Sequence, residues 1–125
     1  MGMDQTVTFA QAPAWSAVRG LLAGRGYAVQ MRMIDGQLAF PDEEPPEQWR
    51  ELRLGTPQGM ITVRKGEGHV TLVTWGNADQ AMRQAWNALA WAFAQAGGGM
   101  VQTPAGALAS GEFRKLAEMP PGLGG

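Results

Sequence analysis

The chain has 125 residues, of which 45% are hydrophobic and 17% are charged, and its formal net charge is −1. This composition is typical of one globular domain. It argues against an intrinsically disordered chain, because disordered chains combine high charge with low hydrophobicity. The nearly balanced charge disfavours nucleic-acid binding, because a protein that holds a phosphate backbone needs an excess of basic residues.

The residue inventory also restricts the chemistry. The chain has no cysteine, which excludes disulfides, thiolate metal sites and a cysteine nucleophile. It has one histidine, His69, which excludes a multi-histidine metal site. No serine is placed to form a catalytic set with His69, so we interpret this residue as an exposed turn position. We therefore expect no catalytic residue, no metal and no cofactor, and we favour a function without enzymatic activity.

The sequence contains neither a membrane-spanning segment nor a signal peptide, and this predicts where the protein is located. No apolar run reaches the ~20 residues that span a bilayer. Residues 1–8 have neither the basic start nor the apolar stretch of a signal peptide. Together with the absence of cysteine, these features predict a cytoplasmic protein that does not contact the membrane. Eight arginines against two lysines, with 18 glycines, are typical of a GC-rich bacterial genome.

The first part of the chain predicts a strand followed by a helix. Residues 6–9 alternate and include β-branched side chains, which is typical of a short strand. Pro13 suits the first turn of a helix, and Gly24 and Gly26 are typical of its end. Apolar residues recur between them at helical spacing, namely Trp15, Val18 and Leu22.

A β-hairpin and an acidic loop follow. Two alternating segments, residues 27–34 and 37–40, flank Asp35 and Gly36. This pair is typical of a type I′ turn, which requires positive φ at both central residues. The next loop, residues 41–47, contains three prolines and four acidic residues, but it lacks the spacing of a calcium-binding loop. We interpret it as a solvated surface loop.

The second half predicts a meander and a long helix. Three segments, residues 49–54, 60–65 and 69–75, alternate and are joined by glycine-containing turns. Asn77 is the expected N-cap of the helix, and glycines at 97–99 end it. Its apolar stripe, which we expect to be fully buried against the sheet, is Met82, Trp86, Leu89 and Phe93. Beyond it we expect a short edge strand at 100–102 and a short helix at 110–119.

This order of elements predicts a single α+β domain over residues 1–119 and a flexible C-terminal tail over residues 120–125. The strands are expected to form a curved antiparallel sheet of about five or six strands, in the order β-α-β-hairpin-β-meander-α. The two main helices lie on one face of this sheet. The other face is then open, or a partner covers it.

The predicted open face is the candidate surface for a ligand or a partner. If Leu52, Leu54, Ile61 and Val63 face the helices, alternation places Trp49, Arg53 and Arg64 on the other face, and Arg32 joins them from the hairpin.

The other candidate is Trp91, which lies on the polar side of its helix. Such a tryptophan is either covered by the C-terminal segment, through Phe113 or Leu116, or used at an interface.

Two functions are consistent with these residues. The first is a homodimeric accessory or interaction domain that binds a second copy or another protein without covalent chemistry, using the face around Trp49, Arg53 and Arg64. The second is a binding domain or an enzyme that holds a small anionic ligand with Arg32, Arg53 and Arg64. A solvated sheet face with cross-strand glutamate–arginine pairs is the remaining interpretation.

Overall fold

The computed structural model describes residues 2–75 and 79–123. Its strands and helices follow in the order β1 (Gly2–Thr8), α1 (Trp15–Ala23), β2 (Gln30–Ile34), β3 (Gln37–Leu38), β4 (Glu51–Thr56), β5 (Gly59–Gly66), β6 (His69–Trp75), α2 (Gln80–Gly97), β7 (Met100–Thr103), β8 (Gly106–Ala109) and α3 (Ser110–Leu116). Within these residues no helix has the length and hydropathy that crossing a bilayer requires.

The strands form one open antiparallel sheet in the order β3-β2-β4-β5-β6-β1-β7-β8. The predicted α+β class and antiparallel sheet are confirmed, although the sheet has eight strands where about five or six were expected. The sequence does not predict β8, because its glycine, alanine and leucine residues have little preference for strands. Since β8 lies beyond β7, residues 100–102 are an internal strand and not the expected edge.

One face of the sheet forms the core together with the helices. α2 contacts four strands, and α1 and α3 pack against α2. Alternation along the strands directs every second side chain to this face. Its fully buried members include the four residues expected to face the helices and are Val7, Met31, Leu52, Leu54, Ile61, Val63, Val70, Leu72 and Val101.

Helix α2 is the centre of the core. Every residue from 88 to 94 is buried, since the sheet, α1 and α3 surround this part of the helix. Leu89 and Phe93 are buried as predicted, but Met82 and Trp86 are only half-buried, because they lie in the first two turns, outside this surrounded stretch. The N-cap is Asp79, whose carboxylate accepts a hydrogen bond from Met82 N at 2.9 Å. Asn77, the expected cap, lies outside the described residues.

Two further predictions concern the hairpin turn and the C-terminal segment. Asp35 and Gly36 both have positive φ, at 50° and 83°, as the predicted type I′ turn requires.

Pro120 and Leu123, which the sequence assigned to a flexible tail, are buried, and Leu123 N donates to Pro120 O at 3.1 Å. Residues 124 and 125 lie outside the described residues.

Candidate functional site

The sheet face opposite the helices is open. Its described side chains are all exposed or half-buried, in contrast to the buried side chains of the helix-covered face. Threonine and valine occupy its middle, on β1, β5 and β6. The arginines of this face lie from β5 toward the β3 edge, whereas Asp4 on β1 and the exposed Met100 on β7 lie on the same face toward the β8 edge.

Arg32, Arg53 and Arg64 lie on this face, on the neighbouring strands β2, β4 and β5. Arg64 Nε is 3.9 Å from Glu51 Oε2, which is a cross-strand pair of the kind found on solvated sheets. The Arg32 side chain passes over Gly55 of β4. A Cβ atom added to Gly55 would lie 2.7 Å from Arg32 Nε. Within the described part of the chain, neither Arg32 nor Arg53 forms an ion pair.

An apolar group at the β3 edge is the most exposed apolar feature of this face. The side chains of Leu38 and Phe40 are 89% and 75% exposed. Met33 is the cross-strand partner of Leu38, so both lie on the same face. Ala39, between Leu38 and Phe40, packs against the core, which directs its two neighbours to the open face. We call Met33, Leu38 and Phe40 the apolar corner.

Hydrogen bonds hold the apolar corner against the sheet. Ala39 N donates to Arg32 O and Met31 N donates to Pro41 O, both at 3.0 Å, so residues 39–41 continue alongside β2. The Asp35 carboxylate accepts hydrogen bonds from the backbone N of Glu51 and Arg50, both at 2.8 Å. These two bonds lower the pKa of Asp35 below its ordinary value, the bond from Glu51 most strongly. The hairpin is therefore tied to the start of β4.

The acidic loop borders the apolar corner and has partners of its own. Glu43 Oε1 accepts a hydrogen bond from Phe40 N at 3.1 Å, and Glu44 Oε1 accepts one from Ser16 N at 3.0 Å, in the first turn of α1. The second bond supplies a cap that Ala14, at the N-cap position, cannot provide. Among the described residues, no three histidine or carboxylate side chains are grouped to hold a metal ion.

Trp49 does not lie on the open face, and its predicted placement there is wrong. β4 begins only at Glu51, so the alternation of that strand does not extend to Trp49. Instead, Trp49 N donates to Pro46 O, and the ring is 5% exposed. It lies beside a groove of 510 Å³ that Trp15 also lines. Lys65 Nζ covers the ring at 4.4 Å from its centroid.

Trp91 is covered by its own chain. Its side chain is 3% exposed, and the guanidinium carbons of Arg25 and Arg114 lie 5.2 and 5.6 Å from its ring centroid. Arg25 precedes β2, and Arg114 belongs to α3. In α3, Phe113 is buried while Leu116 is 75% exposed, so Phe113 is the residue that turns inward. Of the two interpretations left open by the sequence, intrachain cover is correct.

Sequence reasoning placed Leu38 and Phe40 in a hairpin strand but did not select them as site residues. The two-residue turn pairs Leu38 with Met33, and strict alternation would place Met33 on the face of Met31, opposite Arg32. A register shift between Met31 and Met33 in β2 places Met33 and Leu38 on the open face instead, and no sequence pattern signals this shift. His69, as expected, borders a turn, with Nδ1 3.1 Å from Glu67 O, although it is half-buried.

The chain was compared with known proteins at the level of family, sequence and structure. No protein-family model, no curated protein and no solved structure matches it. The functional interpretation therefore depends on the residues of the open face.

Proposed function

We propose that the protein is a homodimeric interaction domain that acts by non-covalent binding through its open sheet face. The observation that carries this proposal is the exposure of Leu38 and Phe40 side by side on a hairpin that is tied to the sheet. Exposed apolar groups next to unpaired arginines are typical of the centre of a protein interface, where methionine, aromatic residues and arginine are enriched.

The energies involved support a dimer of moderate affinity. Burying Leu38 and Phe40 is worth roughly 1.5–3 kcal/mol for each side chain. A dissociation constant of about 1 µM corresponds to about 8 kcal/mol, and association itself costs at least about 4 kcal/mol. A homodimer buries both side chains of each copy, so the four together give roughly 6–12 kcal/mol. This reaches the required sum of about 12 kcal/mol only at its upper limit, so we propose that contacts from Met33, Arg32 and Arg53 contribute. We therefore propose a contact that spreads from the apolar corner onto β2 and β4.

The arginines on their own would also suit a small anionic ligand, since Arg32 and Arg53 form no ion pair within the described residues. The apolar corner favours the protein partner, because Leu38 and Phe40 would have no role in holding a small anion. The formal net charge of −1 supports a protein partner over a nucleic acid. We include a cytoplasmic location in the proposal, as a chain without cysteine requires no oxidising compartment.

Sedimentation velocity tests the proposal. The wild-type protein should be dimeric at about 100 µM, which is well above a micromolar dissociation constant. The Phe40→Glu variant should be monomeric, because it places a charge in the apolar contact. Leu116→Glu is the matched control, since Leu116 is exposed to the same 75% but lies on α3, away from this face. A monomeric wild type, or a dimer that is indifferent to Phe40→Glu, refutes the proposal.

A further inference from the structure

The open face carries a basic and an acidic residue at symmetric positions in the strand order. In the order β3-β2-β4-β5-β6-β1-β7-β8, β4 is the third strand from one edge and β1 is the third strand from the other. Arg53 belongs to β4 and Asp4 belongs to β1. Both residues are exposed, and neither forms an ion pair within the described part of the chain. The two opposite charges are therefore equally far from the middle of the sheet.

The register places these two charges in one row across the strands. Arg53 pairs with Thr62, Thr62 pairs with Val73, and Val73 pairs with Asp4. Directly paired residues point to the same face of a sheet. Arg53 and Asp4 thus both lie on the open face, three strand spacings or about 14 Å apart.

The other charges of the face agree with this pattern. Arg32 adds to the basic side, because its side chain passes over Gly55 of β4. Glu51 already pairs with Arg64 on the neighbouring strand. On the described strands of this face, Asp4 is therefore the acidic residue that forms no ion pair.

One twofold arrangement of two open faces matches opposite charges. An axis that runs along the strands, between β5 and β6, reverses the strand order, so β4 of one copy faces β1 of the other. The strands of the two sheets stay nearly aligned, which is a common way for two sheets to pack. An axis across the strands preserves the order and lays β4 on β4. It would place Arg53 against the arginines of the other copy.

The axis along the strands also covers the apolar corner. It places the β2–β3 end of one sheet opposite the β7–β8 end of the other. The open face of that end carries Met100, which is 40% exposed, and two small residues of β8, Ala107 and Ala109. The large side chains of the apolar corner therefore face an end where small side chains leave room for them.

Building on the proposed dimer, we infer that its two copies are related by the axis along the strands, with Asp4 of each copy bound to Arg53 of the other. The charged pair occurs twice, because the contact is isologous. Between the two pairs, Thr62 of each copy lies opposite Val73 of the other. The helix layers of the two copies lie on opposite outer sides of the dimer.

Exchange of the two charges tests this orientation. The Arg53→Glu variant and the Asp4→Arg variant should each self-associate at least about tenfold more weakly than the wild type, because each places like charges opposite one another. The double variant with both changes should associate nearly as tightly as the wild type, since its exchanged charges are again opposite. Sedimentation velocity over a series of concentrations measures the three dissociation constants.

The control for the double variant combines Arg53→Glu with Glu112→Arg. Glu112 is an exposed acidic residue on α3, which packs in the helix layer, so its reversal should not restore association. Circular dichroism establishes that each variant is folded. If a charge reversal prevents folding, the neutral variants Arg53→Gln and Asp4→Asn replace it. Their double variant should associate about as weakly as either single variant, because each change alone already removes the pair.

The possible outcomes separate this inference from the proposed function. If the wild type is a dimer that Phe40→Glu disrupts, but the charge-exchanged double variant stays as weak as the single variants or the neutral changes are additive, the orientation is wrong and the proposed dimer stands. If the wild type is monomeric, both are wrong. If Asp4→Arg restores the association of Arg53→Glu and Glu112→Arg does not, the inferred orientation is supported.

Discussion

Truncation of Leu89 tests the central position of α2. This side chain is fully buried, and every residue from 88 to 94 around it is buried as well. The Leu89→Ala change removes three carbon groups from the core. At about 0.8 kcal/mol for each buried group, the lost transfer free energy is about 2.4 kcal/mol.

The remaining cavity adds to this cost. The sheet covers one side of α2, and α1 and α3 pack against it, so the helix cannot move into the space without losing contacts on another side. A cavity that cannot collapse adds about 24 cal/mol for each Å³. We therefore expect Leu89→Ala to lower the free energy of unfolding by about 3–5 kcal/mol, the upper part of the range for such substitutions.

Urea unfolding followed by circular dichroism measures this effect. The denaturation midpoint should fall while the m value stays unchanged, since the surface exposed on unfolding is nearly the same. Leu116→Ala is the matched control, because Leu116 is 75% exposed and should change stability by less than about 0.5 kcal/mol. A loss below about 1 kcal/mol for Leu89→Ala would refute the placement of α2 in the centre of the core.

Three further predictions follow from buried or hydrogen-bonded groups. Trp49→Ala should lower the free energy of unfolding by about 3–5 kcal/mol in urea denaturation, because the ring is buried; a change below about 0.5 kcal/mol would mean that the ring is exposed. The Asp35→Asn variant should have a lower free energy of unfolding than the wild type near pH 7, and this difference should shrink as the pH falls through the lowered pKa of Asp35. If the two free energies differed as much at about pH 3 as at pH 7, the hydrogen-bonded carboxylate would be contradicted. Tyr27 is the only tyrosine of the chain, and burial raises its pKa above the ordinary 10.0. Absorbance titration of the folded protein should therefore show a higher midpoint than titration of the protein unfolded in urea. Equal midpoints would contradict the burial of Tyr27.

Local structure can be predicted from the order of the residues. Asp35 and Gly36 predict the hairpin turn because few residues tolerate positive φ. Alternation over β4 and β5 predicts which side chains enter the core, since period two is a property of the extended backbone. The spacing of Leu89 and Phe93 similarly predicts the buried side of α2.

Long-range contacts determine which surfaces remain exposed. Trp49 is covered because the chain turns before β4 and brings its ring under Lys65 of β5, a contact between residues that local periodicity does not relate. Trp91 is covered by arginines from two distant segments, Arg25 and Arg114. Exposure depends on such long-range contacts, whereas a sequence pattern reports only the neighbours along one element. For the same reason Trp49 and Trp91, which the sequence selected as candidate interface residues, are buried, and the exposed apolar residues are Leu38 and Phe40.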